Sequence, residues 1–348
     1  YGLRPRELKE PRMDARERGT LEHRAIEDFA GRLYARQDEV GDEEAERLMR
    51  EVLEPLFEEE SAHRREGGLS RANHQEIRRA MGRMSRLMAL QKRLSRFRVS
   101  AEELAFTPAD TAPLSLPSGE RVYLEGKIDR VDVLNLHSDL YARVIDYKTG
   151  NTALGLDDVY FGLRLQLFLY LDAVLALRGA KPAGVFYQKL SEAPMRLAGG
   201  RIDEKLAARQ RKKLRLTGFI LEDPDVIGQM CADPEIMDQV LPVEPRTKGG
   251  RALPGEFTER SRSRMLSEEA FGLLRRHTRR KLAELAGDAL AGKAAVSPAL
   301  TQDLDACKYC RFRSICGFDE SLPGCERRNL QMDSEEVLQR MRKEDENA

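Results

Sequence analysis

Two carboxylates and a lysine stand in the middle of the sequence at spacings that suit phosphodiester chemistry. Asp129 lies in the run EGKIDRVDV, and Asp146 and Lys148 lie in the run VIDYKTG. Both runs alternate or are rich in β-prone residues, which predicts two strands whose alternate residues share a face. A short polar turn, NLHSD, separates them. Pairing of the two strands would therefore bring all three side chains to one point.

These three residues supply what hydrolysis of a phosphodiester requires. Two carboxylates suffice to anchor Mg²⁺, which prefers hard oxygen ligands and lowers the pKa of an attacking water. Lys148, two residues after Asp146, can orient that water or stabilise developing negative charge. The competing interpretation is a set of salt-bridged strand residues. The apolar neighbours Val144 and Ile145 weigh against it, because unpaired charges are costly on a buried strand.

Two predicted helices carry polar residues that suit the same site. Gln166 and Tyr170 are four residues apart on a strongly apolar helix predicted at 160–177, so they share one face. His23 lies among apolar residues at helical spacing in GTLEHRAIEDF, where its ring nitrogen could ligate a metal. A lone histidine is more often a packed core residue, so spacing alone leaves both interpretations of His23 open.

The cysteines indicate a second metal site near the C-terminal end. Cys307, Cys310 and Cys316 form the pattern C-x₂-C-x₅-C, which is typical of zinc or iron-sulfur ligation. The chain has five cysteines, and an odd, clustered set is poor material for a disulfide framework. A fourth ligand is missing from this motif. Cys325 could serve, whereas Cys231 is remote in sequence.

The elements that would position these residues predict one α/β domain over 1–348. We expect four segments in chain order: a helical part at 1–98, a catalytic core at 99–190, a helical insertion and helix at 199–290, and a cysteine-rich metal region at 300–330.

Within those segments the pattern predicts individual elements. Gly67 and Gly68 mark a break between the first helices. In the core we expect strands at 103–106, 121–133, 141–147 and 182–190, with the helix at 160–177 before the last of them. The polar stretch 199–262 is interpreted as helices with a flexible loop, ahead of an amphipathic helix at 267–290. The last residues predict a charged helix or tail.

Composition narrows the class of protein. The chain is 41% hydrophobic, enough for a real core, and no stretch approaches the ~20 apolar residues of a membrane span. We expect a soluble, cytoplasmic protein without membrane contact. It has no signal peptide and no initiator Met, which suggests a piece of a longer polypeptide.

Charge is uninformative overall and informative locally. Lys and Arg total 59, as do Asp and Glu, so net charge gives no nucleic-acid signal. Between Arg71 and Arg98, however, nine basic residues face the single acid Glu76. This segment is either a stripe that binds DNA phosphates or an ordinary solvated helix face.

Taken together, the motifs resemble the PD-(D/E)xK nucleases related to RecB, and within them the C-terminal nuclease domain of the AddB component of AddAB helicase-nucleases. The resemblance spans nearly the whole chain. It rests on YGLRPRE, RGTLEH, GKIDRVD, VIDYKTG, QLFLY, GKAAVSP and CKYCRFRSICGFD, in the family's order and spacing. It implies a PD-(D/E)xK nuclease core in which helices flank a mixed sheet, with a C-terminal iron-sulfur region.

The resemblance also implies roles for individual residues. It assigns the metal ligands to His23, Asp129 and Asp146, the catalytic lysine to Lys148, and the family's helix pair to Gln166 and Tyr170. It further implies a [4Fe-4S] cluster held by Cys307, Cys310, Cys316 and a fourth cysteine just upstream of Tyr1, for which Cys325 could substitute.

The activity implied is Mg²⁺-dependent cleavage of single-stranded DNA, on the 5′-terminated strand, during helicase-coupled resection of double-strand breaks. The implied partner is an AddA protein that supplies the motor and a second nuclease. Two alternatives differ from this prediction. One is a free-standing iron-sulfur nuclease of the CRISPR-associated type, and the other is a non-catalytic, zinc-stabilised DNA-binding module.

Overall fold

The computed structural model describes residues 13–62, 70–150, 153–190, 204–301, 304–308 and 310–347. It begins with three long helices, α1 (Ala15–Ala35), α2 (Asp42–Ala62) and α3 (Arg71–Leu94). Their apolar residues, at spacings of three and four, form buried faces. The helical prediction for this part is confirmed for the residues described. The break predicted at Gly67 and Gly68 lies outside them.

Five strands follow: β1 (Arg98–Phe106), β2 (Leu114–Ser115), β3 (Arg121–Val122), β4 (Gly126–Leu136) and β5 (Asp139–Lys148). The single strand predicted at 121–133 is wrong, because its two halves have different partners: β3 pairs with β2, and β4 pairs with β1 and β5. The turn between β4 and β5 is only His137 and Ser138. Both have positive φ, 49° and 72°, as a tight two-residue hairpin turn requires.

The next segment crosses over the sheet through α4 (Leu156–Tyr160) and α5 (Gln166–Arg178) to β6 (Lys181–Lys189). The single helix predicted at 160–177 is therefore wrong. Gly162 adopts a positive φ of 79° and breaks it. The backbone N–H groups of Leu163 and Arg164 both donate to the Asp158 carbonyl. The apolar periodicity continues through this break, so it gave no signal for it.

The helical insertion expected at 199–290 needs the largest correction. Its described part contains α6 (Glu204–Leu214), β7 (Leu216–Leu221), α7 (Pro224–Met230), a 3₁₀ turn (Met237–Gln239), β8 (Pro245–Lys248), β9 (Arg251–Phe257), α8 (Glu259–Arg262), β10 (Met265–Leu266) and α9 (Glu268–Leu290). Of these, β7 and β10 belong to the main sheet, and β8 and β9 form a hairpin. Only α9 matches its prediction closely.

The C-terminal part consists of short elements and one helix: β11 (Ala299–Leu300), α10 (Arg313–Cys316), β12 (Arg328–Asn329) and α11 (Ser334–Glu346). The charged terminal segment is thus a helix. Its Val337 and Met341 are fully buried in the core, beside α9 and α4.

The main sheet has the order β1-β4-β5-β6-β7-β10. Strand β5 is parallel to β6, and β7 is parallel to β10, while the other neighbours are antiparallel. Helices α1 and α3 contact one face, and α5 and α9 pack on the other. A mixed α/β fold with a mixed sheet between helices is therefore confirmed. Among the described residues, no helix has the length and apolar character to cross a membrane.

Candidate active site

The two predicted carboxylates meet on the β4–β5 hairpin. The register pairs Arg130 with Ile145, which places Asp129 opposite Asp146 one position further on. The Asp129 carboxylate accepts a hydrogen bond of 2.7 Å from the backbone N–H of Tyr147. This bond fixes Asp129 against the neighbouring strand, where a backbone carbonyl would otherwise serve. Both carboxylates lie on the sheet face that α5 covers.

Lys148 joins this pair to helix α5. Its Nζ lies 2.5 Å from Asp146 Oδ2 and donates to Gln166 Oε1 at 3.1 Å. The Gln166 amide in turn donates to the Tyr170 hydroxyl at 2.9 Å. The face predicted for Gln166 and Tyr170 is thus the face that meets the hairpin. A chain of polar contacts runs from Asp146 to Tyr170.

A glycine at the start of β4 makes room for this helix. A Cβ at position 126 would lie 2.7 Å from the Phe106 ring and 3.4 Å from the Tyr170 ring. The first of these distances is too short for carbon atoms in contact. Gly126 therefore permits Phe106 and Tyr170 to pack edge to face above the hairpin, with ring centroids 6.0 Å apart.

Burial dominates the electrostatics of both carboxylates. It raises the pKa of Asp146 to about 6, against the opposing effect of Lys148, and the nearby Asp129 raises it further. The pKa of Asp129 is also raised by burial, although the hydrogen bond from Tyr147 and the charges of His23 and Lys148 oppose the shift. Two buried, like-charged groups that resist ionisation together are typical of a site that binds a cation.

His23 lies on α1 at the edge of this site. Its ring meets the Tyr147 ring edge to face, with centroids 6.3 Å apart. The charge of His23 acts on both Asp129 and Asp146. The sequence prediction missed Glu27, which stands one helical turn after His23 and whose charge raises the pKa of Asp129. Its spacing of four residues from His23 was the signal available.

The donor set fits a divalent cation of the Mg²⁺ type. Two carboxylates converge, and Asp146 Oδ2 is buried without a hydrogen bond of good geometry, despite the nearby Lys148. A cation there would take this oxygen as a ligand and complete its shell with water. Across the residues that the structure covers, no three His, Cys, Asp or Glu side chains are grouped closely enough to hold a metal by themselves. His23 as the third ligand stays a prediction.

A separate charged cluster lies on the opposite face of the same hairpin. The guanidinium of Arg130 donates to both Asp132 carboxylate oxygens, at 2.6 and 2.8 Å, and Arg143 donates to Asp132 at 2.8 Å. Arg130 also donates to the Tyr34 hydroxyl at 2.7 Å. All three charged side chains are buried. The salt-bridge interpretation is thus right for this face, which ties the hairpin to α1.

Tyr187 is a further member of the site that sequence reasoning missed. Strand β6 runs parallel to β5 and pairs Tyr187 with Asp146. The Lys148 Nζ lies 5.5 Å from the centroid of the Tyr187 ring. Burial and the Asp146 charge raise the pKa of Tyr187 to about 12. The run AGVFYQKL is apolar on both faces, so nothing in it distinguishes the residue beside the carboxylates.

The predicted cluster cysteines are not brought together into a metal site in the described part of the chain. Cys310 and Cys316 are exposed, and Cys307 and Cys325 are partly exposed. Cys231 is buried in the core, and burial raises the pKa of its thiol to about 11. Cluster ligation by Cys307, Cys310 and Cys316 therefore stays a prediction.

Most of the predicted basic stripe on α3 faces acids of α2. Arg78 pairs with Glu54, Arg86 with Glu46 and Arg93 with Asp42. Lys92 donates to the backbone carbonyls of Leu33, Arg36 and Asp38. These contacts favour a structural role for the stripe in holding α3 against its neighbours.

Comparison with known proteins agrees with this geometry. The family model for the PD-(D/E)XK nuclease superfamily matches residues 1–317. The chain therefore belongs to the PD-(D/E)XK nuclease superfamily, whose members are metal-dependent nucleases.

Its curated relatives are more specific, and all three described here are the AddB component of an ATP-dependent helicase/deoxyribonuclease. The chain is 32% identical, over 100% of its length, to that of Alkaliphilus oremlandii, of which it covers 31%. The protein of Desulforudis audaxviator is 33% identical over 95% of this chain and 29% of the relative. That of Caldanaerobacter subterraneus subsp. tengcongensis is 34% identical over 75% and 22%. The chain thus spans less than a third of the length of these relatives.

Proposed function

We propose that this chain is the nuclease module of a helicase-coupled enzyme and hydrolyses single-stranded DNA with Mg²⁺. The observation that carries the proposal is the convergence of Asp129 and Asp146 on one hairpin, with Lys148 2.5 Å from Asp146. Family membership and the deoxyribonuclease in the relatives' names support the same reaction.

In this proposal Asp129 and Asp146 hold the cation, with His23 as a further ligand. When bound, the cation lowers the pKa of the attacking water and neutralises the non-bridging oxygens. Lys148 then presents a positive charge to the phosphoryl group, where negative charge develops. Gln166 holds the Lys148 ammonium by accepting from it, and Tyr170 holds the Gln166 amide. Gln166 and Tyr170 therefore keep the lysine aimed at the reacting phosphate.

The biological setting is inferred from the relatives. By resemblance, the module cuts the 5′-terminated strand during resection of double-strand breaks, in the cytoplasm, beside an AddA helicase-nuclease. The helicase activity in the relatives' names supports delivery of unwound strands to this site. The same names favour this setting over a free-standing CRISPR-associated nuclease. The grouped carboxylates favour catalysis over a zinc-stabilised binding module.

We also propose that Cys307, Cys310 and Cys316 ligate a [4Fe-4S] cluster with a fourth cysteine upstream of Tyr1. The C-x₂-C-x₅-C spacing supports this, as does the exposure of Cys310 and Cys316 at the surface.

The decisive experiment is cleavage of end-labelled single-stranded DNA with Mg²⁺, and then with EDTA, by the wild type and Asp146→Ala. We expect Asp146→Ala and EDTA each to reduce cleavage by orders of magnitude, because each removes the cation. The matched control is Asp139→Asn, which alters a surface ion pair to Lys181 at the other end of the same strand and should leave the rate unchanged. Cleavage by Asp146→Ala at the wild-type rate would refute the proposed site.

A further inference from the structure

A basic cavity of about 330 Å³ opens beside the far strands of the sheet. Its lining comes from the loop at 153–154, from α6 and β7, and from the segment around α8. The charged lining residues are Lys212, Arg215, Glu244, Arg260 and Arg264. We call this cavity the arginine pocket. One acid against four bases is unusual in a chain whose acids and bases balance overall.

The arginines of this pocket are positioned by neutral groups. Arg264 donates to the Leu154 carbonyl at 2.7 Å, and its guanidinium lies over the Phe219 ring, 5.5 Å from the centroid. Arg215 donates to the Asp238 carbonyl at 2.7 Å. Carbonyl and ring contacts fix a guanidinium in place but leave its charge uncompensated.

Ion pairing elsewhere in the chain makes this arrangement distinctive. In the described ranges, Arg215, Arg260 and Arg264 form no ion pair with a carboxylate, whereas Lys212 pairs with Asp238 at 2.5 Å. Burial lowers the pKa of Arg215 and of Arg264, and the charge of Arg260 lowers both further. Guanidinium groups stay charged, so this cluster holds a repulsion that a bound anion would relieve.

The sheet register links the arginine pocket to the candidate active site. Asp146 on β5 pairs with Tyr187 on β6, and Tyr187 pairs with Thr217 on β7, which lines the pocket. Residues paired across a sheet point to the same face, so Asp146 and Thr217 share one face. Two interstrand spacings separate them, or ~10 Å.

The loop after β5 makes the same connection through the backbone. Arg164, just before helix α5, donates to the Ala153 carbonyl, and Arg264 donates to the next carbonyl, that of Leu154. The loop is therefore held between the active-site helix and the arginine pocket. A strand of nucleic acid that follows this loop would pass from one to the other.

We propose that the arginine pocket binds a backbone phosphate of the DNA strand, a short distance along the strand from the linkage at Asp129 and Asp146. The inference rests on the proposed function, because it identifies the substrate by its phosphodiester charge. Arginine forks match phosphate oxygens in charge and in geometry. Such a contact fixes the position of the strand without reading its sequence.

Arg260 provides the cleanest test, because it is exposed and makes no contact that the fold requires. We expect Arg260→Gln to weaken binding of a single-stranded oligonucleotide about three- to tenfold. The slope of log affinity against log salt should fall by about 0.7, the value for one phosphate contact on a single strand. Fluorescence anisotropy in EDTA measures both quantities without cleavage. Arg262→Gln, on the same short helix but outside the pocket lining, should match the wild type.

A second measurement locates the contact along the strand. Oligonucleotides that carry one neutral methylphosphonate linkage at successive positions should bind wild type more weakly at one position near the cleaved linkage. Arg260→Gln should lose that position-specific penalty. With Mg²⁺, this variant should show a raised KM for DNA and an unchanged kcat.

The outcomes separate the two proposals. If Arg260→Gln keeps wild-type affinity, salt slope and methylphosphonate profile, the arginine pocket does not bind DNA, whatever the cleavage result. If Arg260→Gln weakens binding while Asp146→Ala still cleaves normally, the pocket stands and the proposed catalytic site fails.

Discussion

Lys148 occupies the position in the site where its charge can serve two purposes. Its Nζ is shared between the Asp146 carboxylate and the Gln166 amide oxygen. A cation bound at Asp146 would compete for the same carboxylate oxygen. Lys148 would then be directed by Gln166 alone, toward the phosphate. Its role is thus to stabilise charge in the transition state, distinct from that of the carboxylates.

This distinction predicts different consequences for two substitutions. Lys148→Ala keeps both carboxylates, so cation binding and DNA affinity should persist while kcat falls by roughly 10²-fold or more. Asp146→Ala should lose cation binding as well. Lys181→Ala is the matched control, because it removes a surface lysine paired with Asp139. Single-turnover cleavage together with DNA binding in EDTA separates the two effects. A Lys148→Ala enzyme that cleaves at the wild-type rate would contradict the assigned role.

The sequence was sufficient for residues related by local geometry. Asp129, Asp146 and Lys148 could be placed together because strand residues alternate between faces and a short turn fixes the pairing. Tyr187 could not, because it reaches Asp146 through a parallel pairing whose register depends on the crossover through α4 and α5. No local pattern in the sequence encodes that register.

Elements differ in the same way. The helices α1, α3 and α9 carry long apolar periodicity and were predictable from it. Strand β7 was hidden because its six residues lie between charged segments, and a short apolar run does not distinguish strand from helix. The charge pattern on α3 was visible in the sequence, but its partners on α2 were not. That missing information changes the interpretation of the stripe.

For the α2–α3 interface we therefore predict a stability effect. Arg86→Glu should lower the melting temperature, because it places two acids together where Arg86 now pairs with Glu46. The double variant Arg86→Glu with Glu46→Arg should recover part of the loss, since it restores opposite charges. Thermal melts measure this directly.

DNA binding provides the contrast for this prediction. If the stripe is structural, the salt dependence of DNA affinity should be the same for the charge-swapped double variant and the wild type. A double variant that recovers stability but binds DNA with a lower salt slope would return the stripe to the role of a phosphate-binding surface.

At the scale of the molecule, the site and the arginine pocket share one continuous sheet face. The carboxylates lie on the β4–β5 hairpin near the centre, and the pocket begins two strands away at Thr217. The opposite face is occupied by the Arg130 and Asp132 cluster and by α1. Substrate contacts and structural contacts are thus separated by the sheet. This separation explains why substitutions in the pocket should alter binding with little effect on folding.

The cysteine-rich region differs from the rest of the molecule in how little holds it together. Its regular structure in the described residues is limited to β11, α10 and β12, and an ion pair between Arg327 and Asp305 links its two ends at 2.6 Å. Three large apolar side chains there, Phe312, Ile315 and Leu322, are exposed. A metal would supply the cohesion that a hydrophobic core supplies elsewhere, because ligation couples directly to folding.

We therefore predict that Cys310→Ala lowers both metal content and melting temperature, while kcat on single-stranded DNA changes much less. Cys325→Ala is the informative comparison, because it lies outside the C-x₂-C-x₅-C motif. Equal losses in the two variants would make Cys325 a ligand, and no loss in Cys325→Ala would leave the fourth position to a residue upstream of Tyr1. Iron, sulfide and zinc analysis of protein purified without air identifies the metal. If Cys310→Ala retains full metal content and melting temperature, a structural metal at these cysteines is untenable, and the exposed thiols need another explanation.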